Sequence, residues 1–219
     1  MKLFSSFVSR LITAGLPLVL AIAGQVRANS YDPLAVDSAF HPLHVDLTVH
    51  DAARNRDIPV RVYLPKNSAP APVILFSHGL DGSRTASVFL GEHWVARGYA
   101  AVFLQHPGSD DSVWKGQPGQ QRMRAMKQAA SRLAVYPALH DAPKYEVVLH
   151  NAEHSAFTDR ALPGDREPRN PNHHRVILAL STAFWDAYLR SDADALAWLN
   201  GPGPRAIMEP DDRWQFSVP

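Results

Sequence analysis

The sequence has no cysteine, almost no excess of charge of either sign, and no apolar run long enough to promise a membrane span. Without cysteine there is no disulfide scaffold, no thiolate zinc site and no cysteine nucleophile. Lysine and arginine number 22 against 21 acidic residues, a net charge of +1. That balance gives no electrostatic footprint for nucleic acid. The 18 prolines and 12 glycines are scattered without period, which excludes collagen-like and low-complexity architectures. No internal repeat is present. No Gly-rich phosphate-cradling loop is found either, so no nucleotide and no other cofactor is expected. What the chain does have is a 46% apolar composition over 219 residues. This is too apolar for a disordered chain and suits one globular domain.

Residues 1–28 read as a secretory signal. Lys2 and Arg10 supply a positive start, Leu11 to Gly24 an apolar stretch, and Val26-Arg27-Ala28 small residues at the −3 and −1 positions. The stretch is short for a span of about 20 residues, and Pro17 interrupts it. The alternative is an uncleaved anchor. Cleavage after Ala28 removes Lys2, Arg10 and Arg27 and leaves 19 basic against 21 acidic residues, a net −2. The expectation is a periplasmic or secreted protein, residues 29–219, with no stable membrane span after cleavage.

The rest of the chain alternates between two kinds of apolar pattern. His44–His50 and Ile58–Leu64 alternate polar with apolar, as half-buried strands do. The turn at 51–57 joins them into an antiparallel hairpin. Val73–Ser77 and Tyr99–Leu104 are continuous apolar runs, typical of strands buried on both faces. A helical pattern over 84–97 links them, so a βαβ unit and an α/β fold with a mostly parallel sheet are predicted. Further helices are read at 119–133, 173–189 and 192–199, and a strand at Tyr145–Leu149. From Gly201 the Pro-rich tail is read as wrapping the surface. Trp94, Trp185 and Trp198 are read as core.

Three loops at strand ends could carry chemistry: Ser77-His78-Gly79-Leu80-Asp81-Gly82-Ser83, then Gln105-His106-Pro107-Gly108-Ser109-Asp110, then Ala152-Glu153-His154-Ser155-Ala156-Phe157. In open α/β sheets ligands bind beyond the carboxyl ends of parallel strands. His150 and His154 stand four apart but flank a strand end, and no carboxylate follows in the HExxH manner, so no metal site is expected. His173-His174 is read as a solvated or capping pair. Asp110-Asp111 is read as solvated.

The block at 73–114, VILFSHGLDGSRTASVFLGEHWVARGYAAVFLQHPGSDDSVW, and the block at 145–157, YEVVLHNAEHSAF, resemble the α/β-hydrolases. The likeness is to the secreted dienelactone-hydrolase-like and platelet-activating-factor-acetylhydrolase-like esterases. The resemblance implies an N-terminal antiparallel hairpin on a sheet with flanking helices, and hydrolysis of a small-molecule carboxylic ester. It implies that the loop after Gly79 aims backbone amides at a developing oxyanion, with Leu80 as the donating position. It implies that His154 takes and returns the nucleophile's proton. The competing readings are a bare strand–helix turn and one surface histidine among 11.

One departure is decisive for activity. The family's nucleophile sits on a Gly-x-Ser-x-Gly elbow. None of the 16 serines has glycine at both −2 and +2; Ser77 has Gly79 at +2 but Leu75 at −2. By family order, elbow and acid fall between the 119–133 helix and the 145–149 strand. Residues 134–144 are too few, since a crossover alone takes about 10–12 residues. The chain reads as such a hydrolase with its middle missing, the seam near 131–135. No nucleophile is assigned, and weak or absent activity is expected. The alternative is a non-catalytic exported binding protein on the same scaffold. Loss of the central strand is also expected to leave 73–77 with an empty neighbour, unless it pairs directly with 145–149.

Overall fold

Backbone pairing begins with the hairpin. In the computed structural model, which describes residues 31–66, 69–79, 82–106, 136, 140–162 and 165–219, β1 (Leu43–Asp51) pairs antiparallel with β2 (Arg56–Leu64). Asn55 takes a positive φ of 44° in the turn between them, a conformation asparagine adopts more readily than most residues. β2 then pairs antiparallel with β4 (Ala100–Leu104), and β4 pairs parallel with β3 (Val73–Ser77). The sheet order is β1-β2-β4-β3. The expected mostly parallel sheet is therefore found as a mixed one. Its single parallel pairing among the described residues is the predicted βαβ unit, crossed by α1 (Val88–Ala96).

The two faces of this sheet differ. Tyr63, Ala101 and Ile74 form one row across β2, β4 and β3, and Arg61, Phe103 and Phe76 the next. The first row and Phe103 are buried, against Leu90, Trp94 and Val95 of α1 and Val176, Ile177 and Leu180 of α2 (Pro171–Leu189). Phe103 sits 4.4 Å from Phe76 and 5.1 Å from Tyr63, ring centre to ring centre. The apolar area removed from water here is the main stabilising term. On the opposite face, Val45, Val62, Val102 and Leu75 make one row, and Leu47, Val60, Leu104 and Ser77 the next. Val45, Leu47, Val49 and Leu75 of that face are exposed.

β5 (Lys144–Val148) does not join β3, contrary to the expectation of direct pairing between 73–77 and 145–149. It pairs antiparallel with β6 (Arg213–Ser217). The tail, read as a surface wrap, supplies a partner strand instead, and Tyr145 stacks on Trp214 and Phe216. At its start the tail forms α4 (Gly203–Ile207), after α3 (Ala193–Asn200).

Capping explains the helix limits. Asn170 accepts from the Asn172 amide at 2.9 Å, with Pro171 in the first turn of α2. Asp192 accepts from the Asp194 and Ala195 amides at the start of α3. Trp94 is buried, and Trp185 and Trp198 pack against the core. His173 corrects the solvated-pair expectation: it is buried and its Nε2 lies 3.1 Å from the His150 carbonyl. Its neighbour His174 stacks on Phe89, centroids 3.9 Å apart.

Among the described residues the most connected side-chain carboxylate is Asp186, 1% exposed. It accepts from the Tyr31 hydroxyl at 2.7 Å, the Tyr99 hydroxyl at 2.6 Å, Arg97 at 2.6 Å and Arg190 at 3.1 Å. Burial alone would raise its pKa; the hydrogen bonds from Tyr31, Tyr99 and Arg97 outweigh it and hold the carboxyl below the ordinary range. The network ties the lead-in, α1, β4 and α2 together. Among the described residues no helix is long and apolar enough to cross a membrane. The expected signal segment, the expected 119–133 helix, the expected seam at 131–135 and Asp110-Asp111 lie outside the described residues.

Candidate active site

The candidate site sits where β3 and β4 end. Their parallel register sets Ser77 beside Leu104, so the residues just beyond each strand emerge together. His78 is buried and uses both ring nitrogens. Its Nδ1 lies 2.7 Å from the Gly79 carbonyl, and its Nε2 accepts from the His106 amide at 3.1 Å. A carbonyl only accepts, so Nδ1 carries the proton and the ring is neutral. His78 thus clasps the two strand ends. Gly82 closes the turn by donating to the Gly79 carbonyl at 3.1 Å. A Cβ at Gly82 would come within 2.8 Å of the His78 Cβ, so only glycine fits.

His154 arrives from the third loop. It opens a 3-10 turn, His154–Phe157, that follows β5. Buried Asp212 fixes the approach, accepting from the His150 amide at 2.7 Å and the Glu209 amide at 2.9 Å. Beyond the turn, Ser87 donates to the Phe157 carbonyl. The His154 ring ends beside the β3 turn: a Cβ at Gly79 would lie 4.0 Å from both its Cε1 and its Nε2. His154 and Gly79 are both exposed.

Of the residues singled out in the sequence, His154 and the Gly79 turn are brought together. Leu80, the expected oxyanion donor, lies outside the described residues. Among the described residues no carboxylate hydrogen-bonds to the His154 ring. Asp165 is engaged by the Ser155 hydroxyl and the Leu162 amide, which hold its carboxyl below the ordinary range. His150 points elsewhere, 3.9 Å from Asp211.

Sequence reasoning missed one contact altogether. The Ser77 Oγ lies 2.7 Å from His106 Nε2. The available signal was that both residues follow adjacent buried runs. No family model, curated protein or solved structure matches this chain.

Proposed function

We propose that the chain is an exported protein of the α/β-hydrolase type, an ester hydrolase by design. In this reading His154 is the proton carrier and the turn after Gly79 is the anion cradle. One observation carries it: the His154 imidazole stands against Gly79, 4.0 Å from the space a side chain would fill, beside the carboxyl end of a parallel strand. That juxtaposition sets a base beside a backbone turn. Among the described residues the outer side of β3 has no partner strand, which agrees with a scaffold short of its central strand.

With no elbow serine, His154 acts on water, and the rate is low. Triads stripped of a member keep roughly 10³–10⁴-fold over water. The test is hydrolysis of p-nitrophenyl acetate by residues 29–219. Slow turnover that drops to the buffer rate in His154→Gln supports the reading; turnover unchanged by that substitution ends it. A second reading, a non-catalytic binding protein, is favoured by the missing carboxylate on the His154 ring. Buffer-rate hydrolysis with retained binding of phenyl acetate by calorimetry would select it. Export is tested by N-terminal sequencing of protein from the cell envelope or medium, which should begin at Asn29.

A further inference from the structure

We propose that Ser77 and His106 form a second reactive pair, in which the serine hydroxyl takes the acyl group of an apolar ester and the imidazole is its base. The proposal uses neither His154 nor an elbow, so it stands apart from the reading above. Its core is distance: Oγ and Nε2 are 2.7 Å apart, within the reach that marks a nucleophile and its base.

Preorganisation supports it. The backbone amide of His106 is pinned to His78, and His78 is pinned to Gly79. The base is thereby held to the end of the strand that carries the nucleophile, which limits the motion that loosens such pairs. Ser77 is exposed, so an ester carbonyl can approach its hydroxyl. Burial above all, with the Arg56 charge adding to it, pushes the His106 pKa below the ordinary imidazole value. At neutral pH the ring is therefore uncharged, and with its proton on Nδ1 it can accept through Nε2.

The sheet face supplies the substrate class. Ser77 ends the row Leu47, Val60, Leu104, and the next row brings Val102 and Leu75 beside it. Leu75 is 67% exposed. An apolar acyl chain lying along β3 from Ser77 would cover it and gain by leaving water.

The chemistry balances with ester and water alone. The Ser77 hydroxyl proton passes to His106 Nε2 as Oγ bonds to the carbonyl carbon. The tetrahedral adduct then expels the alkoxide, which takes that proton and leaves as the alcohol. Water, deprotonated by His106, attacks the acyl-serine and releases the carboxylic acid, returning the proton to Oγ.

The test uses diisopropyl fluorophosphate on the unsubstituted mature chain, followed by peptide mapping. The Oγ–P bond forms, the P–F bond breaks and fluoride leaves, giving a stable adduct. One adduct on Ser77 is expected. In His106→Gln, with its fold checked by near-UV circular dichroism, labelling should be on the order of a hundredfold slower. No adduct, an adduct on another serine, or undiminished labelling in a folded H106Q would overturn the pair. For the substrate class, p-nitrophenyl hexanoate should acylate Ser77 faster than the acetate, and Leu75→Glu should erase the preference. Equal rates in the unsubstituted protein would overturn that part. Failure of the His154 reading is seen separately, in acetate turnover by H154Q compared with its parent when both carry Ser77→Ala.

Discussion

Asp159 holds the start of α1 from across the chain: its two carboxylate oxygens accept from the Val88 amide at 3.0 Å and the Phe89 amide at 3.2 Å. Ser87, at the cap position, is left-handed and offers no side-chain cap of its own. The loop that carries His154 therefore does the capping for the helix that follows the β3 turn. Removing the carboxylate should loosen both. Asp159→Ala is expected to cost about 1 kcal/mol, read from urea unfolding, as loss of a helix cap usually does. An unchanged midpoint would show that the amides find water equally well.

Asp186→Ala should be the most damaging single substitution of a polar residue. Two hydroxyls and two guanidinium groups converge on this carboxylate. Taking away one partner of a buried ion pair costs about 3–5 kcal/mol, because the other charge is left uncompensated. The same carboxyl predicts a pH dependence. Its folded pKa is depressed below the ordinary 3.8. The stabilisation is therefore complete above that value and is lost as pH falls through the lower folded value. Acid unfolding curves of D186N should lack this component.

His93 predicts a second pH effect, at higher pH. Burial is the main cause that holds its pKa below the ordinary 6.5, and its Nε2 lies 3.1 Å from the Pro33 carbonyl. The folded state resists protonation, so stability is complete above 6.5 and declines as pH falls from there towards the folded value. His93→Gln, which keeps a donor for Pro33, should show a smaller drop between about pH 7.5 and 5.5 in denaturant midpoints. An identical drop would place the effect elsewhere.

Gly91→Ala tests the fit of α1 on the sheet. The new Cβ would stand 2.6 Å from a Tyr63 ring carbon. That ring is wedged against Phe103 and is almost fully buried, so it has nowhere to turn. Overpacking of this kind costs about 1–3 kcal/mol. A melting temperature equal to that of the parent would show a softer contact.

Val73→Lys should reduce self-association while leaving the fold intact. Val73 is 56% exposed on β3, the end strand of its sheet among the described residues. Apolar end strands are templates for pairing between molecules, and lysine is a common guard against it. Light scattering at raised concentration should fall, with stability changed by no more than about 0.5 kcal/mol.

Local patterning made much of this fold legible. Alternation located the hairpin, continuous apolar runs located β3 and β4, and 3.6-residue periodicity located α2 and α3. Pairings between distant segments were not legible. β6 is five residues, RWQFS, three of them polar, and only its pairing along β5 makes it a strand. His173 looked like half of a surface pair because its acceptor, the His150 carbonyl, is supplied by another loop. At the site, the Gly79 turn and His154 were found through resemblance. The Ser77–His106 contact spans 29 residues and follows from strand register, which no local pattern encodes.

The Tyr31–Asp186 bond also has a temporal meaning. The two residues are 155 positions apart, so this bond cannot close until α2 has been synthesised, whereas the contacts of Pro33 with His93 and of Asp32 and Ala35 with Arg97 can form earlier. Non-local closure of this kind slows folding. A ribosome would release nearly the whole polypeptide before this last tie could be made, so Asp186 locks in place a segment that Arg97 has already gathered.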